Sequence, residues 1–331
     1  MKRISHLVLA SAVLSAAIVT PAFAADDNVI RLGNLKFAHY GAVSYIKELN
    51  TKCGIKVEEH MFAKGPDVMQ AILAGELDVG ATASEAAISG RANGAPIYIV
   101  AGFAKGGARL VARPDGGIKS IKDLKGKKVG VTRGGIHEVL LAAELAQAGL
   151  SMSDQPGKDV QVIYLAFADL NQALMGKNLD AIMQSEPQSS QAINKGFGME
   201  VMKPYDTPIG MPVRTLVMSE KFYKEKRPLA AKFMTCFVQA TKLFIDNKAA
   251  GEKYVRESMF KNQITADDFN DAIENSPFTY DITAAHIQTT TDVMFKTGTG
   301  KMKNPPVATD WVKTDLLDQA KKTLSITQST K

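Results

Sequence analysis

The period of the apolar positions changes repeatedly along this chain. From Val29 onward, short β-rich runs alternate with stretches of helical spacing, the pattern of sheets wrapped by helices. "VIRLGNL" predicts a strand, "PDVMQAILAG" a helix with Pro66 in its first turn and Gly75 as its stop, and "LDVGA" the next strand. "SEAAISGRANG" then predicts a helix with Ser84 as N-cap, and "PIYIVAGF" a buried strand. After "RLVARPDGG" the pattern restarts, with Ser120 and Asp123 spaced as a capping box before the strand "KKVGVT". In "GGIHEVLLAAELAQAGL", Ile136, Leu140, Ala143 and Ala146 share one helix face. "VQVIYLA", "DLNQALMG", "LDAIMQ", "EPQSSQAINKG" and "MEVMKP" continue the alternation. From about Lys221 the chain reads as mostly helical, with Leu229, Phe233, Phe237, Ala240 and Phe244 at helical spacing.

One pattern occurs twice. "AGELDVGATASEAA", residues 74–87, is echoed by "MGKNLDAIMQSEPQ", residues 175–188. In each, Leu-Asp opens a strand after a helix, and Ser-Glu sits where that strand gives way to the next helix. In open α/β sheets ligands bind beyond the carboxyl ends of strands, where helix N-termini present free N–H groups. The echo therefore places two similar lobes facing one cleft.

Length agrees with this division, since 331 residues can bury more than one core. The first segment, "MKRISHLVLASAVLSAAIVTPAFA", has Lys2 and Arg3, an apolar run from Leu7 to Val19 and the small-x-small triplet Ala22-Phe23-Ala24. It reads as a signal peptide cleaved near Ala24, giving an exported, periplasmic protein. The formal net charge of +6 falls by two when Lys2 and Arg3 are removed. That mild, dispersed charge, without aromatic-basic interleaving, argues against nucleic acid as a partner. Cys53 and Cys236 lack any CxxC companion, so they form no zinc site. A disulfide and two buried thiols both remain open for them.

The stretches "VMQAILAGELDVGA", "GIKSIKDLKGKKVGV", "TRGGIHEVLL", "YLAFADLNQALMGKNLDAIM" and "SEPQSSQAINKGFG" together resemble the substrate-binding proteins of bacterial ABC importers, in the nitrate, sulfonate, taurine and thiamine-precursor-like group. The resemblance implies an α/β fold of two lobes, the type II periplasmic-binding-protein arrangement, each lobe a mostly parallel sheet flanked by helices. It implies lobe one from 25–112 plus 214–331 with the C-terminal helices, lobe two from 113–213, and hinge crossings near Arg113 and Val213. It also packs the C-terminal helices onto lobe one, where Cys236 could meet Cys53. The expected partners are a small-molecule ligand and an inner-membrane permease, with the protein a monomer and no cofactor.

Candidate ligand contacts follow from these placements. "TRGGIHE" supplies Thr132, Gly134, Gly135 and His137: two glycines leave N–H groups unobstructed at a helix start, where the dipole favours an anion. Glu85 and Glu186 occupy the echoed strand ends, where each could hold an ammonium or hydroxyl group, and Ser84 can cap and bind together. His39 and Tyr40 follow the first strand; Phe103 and Lys105 end the fourth; Phe167 marks the corresponding exit in lobe two. Elsewhere each of these residue types has an ordinary structural use, as a cap, a core ring or a solvated charge.

No GxSxG elbow, HExxH or Walker A lysine is present. The reading is a non-enzymatic periplasmic solute-binding protein that closes on an anionic or zwitterionic organic molecule, a sulfonate, carboxylate or similar. The alternatives are an enzyme on the same fold acting on a pyrimidine-type substrate, and a ligand-sensing partner of a membrane receptor.

Overall fold

The computed structural model describes residues 28–326; the expected signal peptide and its cleavage site lie outside the described residues. Strands are β1 (Val29–Leu35), β2 (Lys56–Phe62), β3 (Val79–Ala83), β4 (Ile97–Lys105), β5 (Ala108–Ala112), β6 (Lys128–Val131), β7 (Met152–Ser153), β8 (Val160–Tyr164), β9 (Ala181–Ser185), β10 (Met199–Met202) and β11 (Val213–Ser219). They form two sheets, ordered β2-β1-β3-β11-β4 and β10-β5-β9-β6-β8-β7.

Each sheet is mixed. β1, β2 and β3 pair in parallel, as do β6 with β8 and β9, because helical crossovers join them. β11 runs antiparallel between β3 and β4, and β5 antiparallel between β9 and β10. These two are the strands by which the chain leaves one sheet and returns from the other. The first crossing lies at Gly106 and Gly107, earlier than the expected boundary at 112, since β5 pairs with β9 throughout its length. The return falls between β10 and β11, so Val213 already belongs to the first sheet.

The echoed aspartates now have a common task. Asp78 Oδ2 accepts the backbone N–H of Arg31 at 2.9 Å, and Asp180 Oδ2 accepts that of Lys128 at 2.9 Å. Each carboxylate thus ties down the neighbouring parallel strand, β1 or β6. Arg31 and Arg113 complete the two pins with side-chain bonds to the same aspartates.

The helix Gly65–Leu73 starts with proline in its first turn, and Ser120 with Asp123 forms the expected capping box. Ser84 is the first helical residue of Ser84–Ala92, and Ala83 takes the N-cap position. The helices from Arg227–Asp246 onward pack mainly against the first sheet and its helices. Cys236, fully buried on Arg227–Asp246, is disulfide-bonded to Cys53, with Cα atoms 5.8 Å apart across a sequence separation of 183. Helix Ile136–Gln147 of the second sheet packs on Ser84–Ala92 and Ala284–Thr297, so one apolar core runs continuously between the lobes.

Candidate functional site

Between the sheets lies a narrow cavity. Leu35, Phe37, His39, Tyr40, Lys64, Gly65, Ala83, Glu85 and Arg214 line it from the first sheet's side. Gly135, Ile136, His137, Phe167 and Ser185 line it from the second. All of these residues lie at strand ends or at the starts of the following helices, apart from Arg214 inside β11.

Aromatic rings form much of the wall. Phe37 meets Phe167 edge-on across the cleft at 5.1 Å between centroids, and Phe167 meets His137 at 4.9 Å. Tyr40 lies edge-on to Phe103 at 4.7 Å, so Phe103 backs the wall without reaching the cavity.

Polar groups in and around this wall are buried yet incompletely paired. His39 has no hydrogen-bond partner at either ring nitrogen; Glu85 Oε2, His137 Nδ1 and Arg214 Nε have none, nor do the hydroxyls of Thr82 and Ser84 just behind. Native interiors rarely leave such groups unpaired. The Arg214 guanidinium is 2% exposed and makes no ion pair among the described residues within reach of its nitrogens; its Nη2 donates to the carbonyls of Gly106 at 2.7 Å and Gly107 at 3.2 Å. His137 Nε2 lies 3.2 Å from the same Gly107 carbonyl, and Ser185 Oγ donates to it at 3.5 Å.

Burial sets the protonation states. It pushes the Glu85 carboxyl up to about 7, against the pull of the Arg214 charge and of the backbone N–H groups of Glu85, Ile136 and Ala86. Burial, with the Arg214 charge second, holds the His137 imidazole down to about 3. His39 is lowered well below its ordinary range by burial, Arg214 and His137. The two histidines are therefore neutral at any ordinary pH, and of the two cationic side chains in the lining, Arg214 and Lys64, Arg214 is the buried one.

Of the residues expected from sequence, His39, Tyr40, Glu85, Gly135, His137 and Phe167 meet at the cavity. Others do not. Glu186 turns away: its Oε1 pairs with Arg109 Nε at 2.8 Å and accepts from Asn275 at 2.8 Å, while Oε2 accepts from Ser190. Thr132 Oγ1 donates to the Leu165 carbonyl at 2.9 Å, and Lys105 lies off the cavity with its backbone bonded to Pro277. The expected free N–H groups of the glycine turn are occupied. Gly134 N–H donates to Glu138 Oε2 at 2.6 Å, and Gly135 N–H to Thr132 O at 3.3 Å. The turn closes on itself because Gly134, at φ +74°, lets Glu138 one turn later cap it. Arg214, missed from sequence, carries a readable signal in "PVRTLVMS": a lone charge inside an apolar strand.

A family model described as NMT1/THI5 like matches residues 49–250. A Brucella abortus protein named as a binding protein is 33% identical over 189 residues, 55% of this chain and 54% of that protein. An Escherichia coli protein named as binding aliphatic sulfonates is 32% identical over 173 residues, 52% of this chain and 50% of that protein. The chain thus spans about half the length of the relatives it matches. The solved alkanesulfonate-binding protein of Xanthomonas axonopodis pv. citri, bound to MOPS, superposes with a TM-score of 0.73 at 18% identity, over 87% of this chain and 99% of that one. At that identity the likeness is one of fold: two mixed α/β sheets flanked by helices, as in periplasmic binding proteins.

Proposed function

Because the chain belongs to the NMT1/THI5-like family, we propose that it is the periplasmic solute-binding component of an ABC importer, without enzymatic activity, holding a small anionic or zwitterionic organic molecule between its lobes and presenting the closed form to a permease. The observation that carries this reading is the group of buried, unpartnered polar atoms on His39, Glu85, His137 and Arg214, drawn from both sheets around one cavity. A ligand that satisfies them restores the pairing that folded interiors otherwise achieve internally. The Arg214 charge favours an acceptor-rich group beside it, and the sulfonate-binding relatives are compatible with that preference.

Closure of the lobes supports delivery. Two chain crossings join the sheets, and they are the points about which the lobes would hinge. The test is a thermal-shift screen across sulfonates, carboxylates, zwitterions and pyrimidines, since a ligand of the native state raises its midpoint with concentration. A hit whose binding also reduces the radius of gyration supports the reading. A panel in which no compound raises the midpoint, or a bound compound being turned over, defeats it.

A further inference from the structure

We propose that the cavity selects a ligand which donates hydrogen bonds as well as accepting them, a hydroxyl- or amine-bearing carboxylate or sulfonate over an acceptor-only oxyanion, because His137 Nδ1 and Glu85 Oε2 stand bare in the same chamber as Arg214. The proposal deepens the binding function above and rests on it.

The argument starts from one carbonyl. Gly107 O can only accept, so His137 Nε2, 3.2 Å away, carries the proton. The ring is neutral, so Nδ1 is a lone pair, and it has no partner in the protein. It can be satisfied only by a donor. Glu85 Oε2 is also buried without a partner, and as a carboxylate it too accepts alone. Neutral His39, bare at both ring nitrogens, adds one further acceptor and one donor, and against the acceptors stand that N–H and the unpartnered Nε–H of Arg214. A ligand that complements these groups presents an acceptor to Arg214 and a hydroxyl or amino group to His137 and Glu85.

The helix start beside them points the same way. Its Gly134 N–H is taken by Glu138, and the Ile136 N–H faces Glu85 from across the cleft. The protein's own carboxylates supply the negative charge that this helix terminus attracts. An oxyanion placed there would confront them and the His137 lone pair, and sites built around buried polar groups discriminate steeply against ligands that leave those groups unpaired.

Titration calorimetry on matched pairs tests this: isethionate against 1-propanesulfonate, lactate against isobutyrate, and alanine against isobutyrate, at about pH 8 where Glu85 is ionised. In at least one pair the donor-bearing member should bind ~10-fold or more tightly, the equivalent of one hydrogen bond. His137→Phe, which keeps a ring but removes Nδ1, should shrink that gap. Should the variant not fold, the parent alone decides: protonation of Glu85 should weaken alanine as pH falls through about 7 and should not weaken the acceptor-only members. Equal or tighter binding of the acceptor-only member wherever a pair binds overturns the inference and leaves the binding function standing. Failure of every compound, here and in the wider thermal-shift panel, overturns both.

Discussion

His137 Nε2 donates to the carbonyl oxygen of Gly107 at 3.2 Å, joining the helix start of the second lobe to the crossing that leads into it. Arg214, one residue into the returning strand, donates to the same oxygen at 3.2 Å. Both connections between the sheets are therefore gathered at one backbone atom behind two side chains of the cavity wall, His137 and Arg214, and the geometry of Gly107 becomes a condition for the site.

Gly107 has φ +77°, and an added Cβ would stand 2.9 Å from His39 Cε1 and 3.1 Å from Arg214 Nη2. Gly107→Ala should cost more than the ~1–2 kcal/mol of a left-handed alanine, because the methyl group would also press on two buried side chains. Gly117 is the control: its φ is +70° with nothing within 4 Å, so Gly117→Ala should carry the backbone cost alone. Urea titration of both variants measures the difference, and equal losses would mean that the crossing relaxes around the methyl group.

Glu85 gives the pH dependence a sign. Its folded value is raised from 4.5 to about 7, chiefly by burial, so the folded state holds a proton that the unfolded state has released. Its contribution is therefore fully present below about 4.5 and is lost as pH rises to about 7, a loss of ~3 kcal/mol. His39 and His137, lowered by the same burial and by Arg214, act oppositely toward acid, with Tyr40 and Lys64 also lining the cavity. Comparison with Glu85→Gln isolates the contribution of this carboxyl group. The parent's advantage over the variant should shrink between about pH 5 and 7, and a constant difference across that range would contradict the assignment.

The alternation of elements was legible because each strand is a short apolar run and each helix has its own stops, and the Leu-Asp echo located two equivalent strands. What local pattern cannot encode is which strand lies beside which. "VRTLVMS" reads as a strand, but nothing in it says that β11 inserts antiparallel between β3 and β4 and carries a buried arginine to the cleft. The two glutamates of the echo show the same limit. Glu85 reaches the cavity while Glu186 is captured by Arg109 and Asn275, the latter 89 residues away in sequence. The engagement of Gly134 N–H by Glu138 is local, an i to i+4 cap within "GGIHE", and was open to a sequence reading.

Cys53 and Cys236 close a loop with a sequence separation of 183. In the chain-entropy picture such a bridge stabilises by up to ~5 kcal/mol, through restriction of the unfolded chain. The Cys53→Ser/Cys236→Ser variant should lose stability toward that limit in urea, and unreduced parent protein should yield no titratable thiol after unfolding. Two reactive thiols in that titration would show the bridge to be absent.

Arg109 holds the other strong charge cluster, away from the cavity. Its side chain is 3% exposed; Nε pairs with the fully buried Glu186, and Nη1 and Nη2 grip Asp271 of helix Ala266–Asn275 at 2.9 and 3.0 Å. Burial raises Glu186, and the Arg109 charge is the largest influence opposing it. Arg109→Met leaves that carboxylate without its charge partner, and breaking a buried pair from one side costs ~3–5 kcal/mol. The deficit has a pH sign. With the arginine gone, the folded value of Glu186 rises further above its unfolded 4.5, so the variant loses stability as pH rises through that value and recovers toward acid. Arg109→Met/Glu186→Gln should regain part of the loss, because a neutral amide can still meet Ser190 and Asn275. Denaturation curves for parent, single and double variants at acidic and neutral pH decide the matter. A single variant as stable as the parent, or a double variant worse than the single, would mean that Glu186 is held by its hydrogen bonds and that the arginine serves its other carboxylate partners, Asp271 and Glu200.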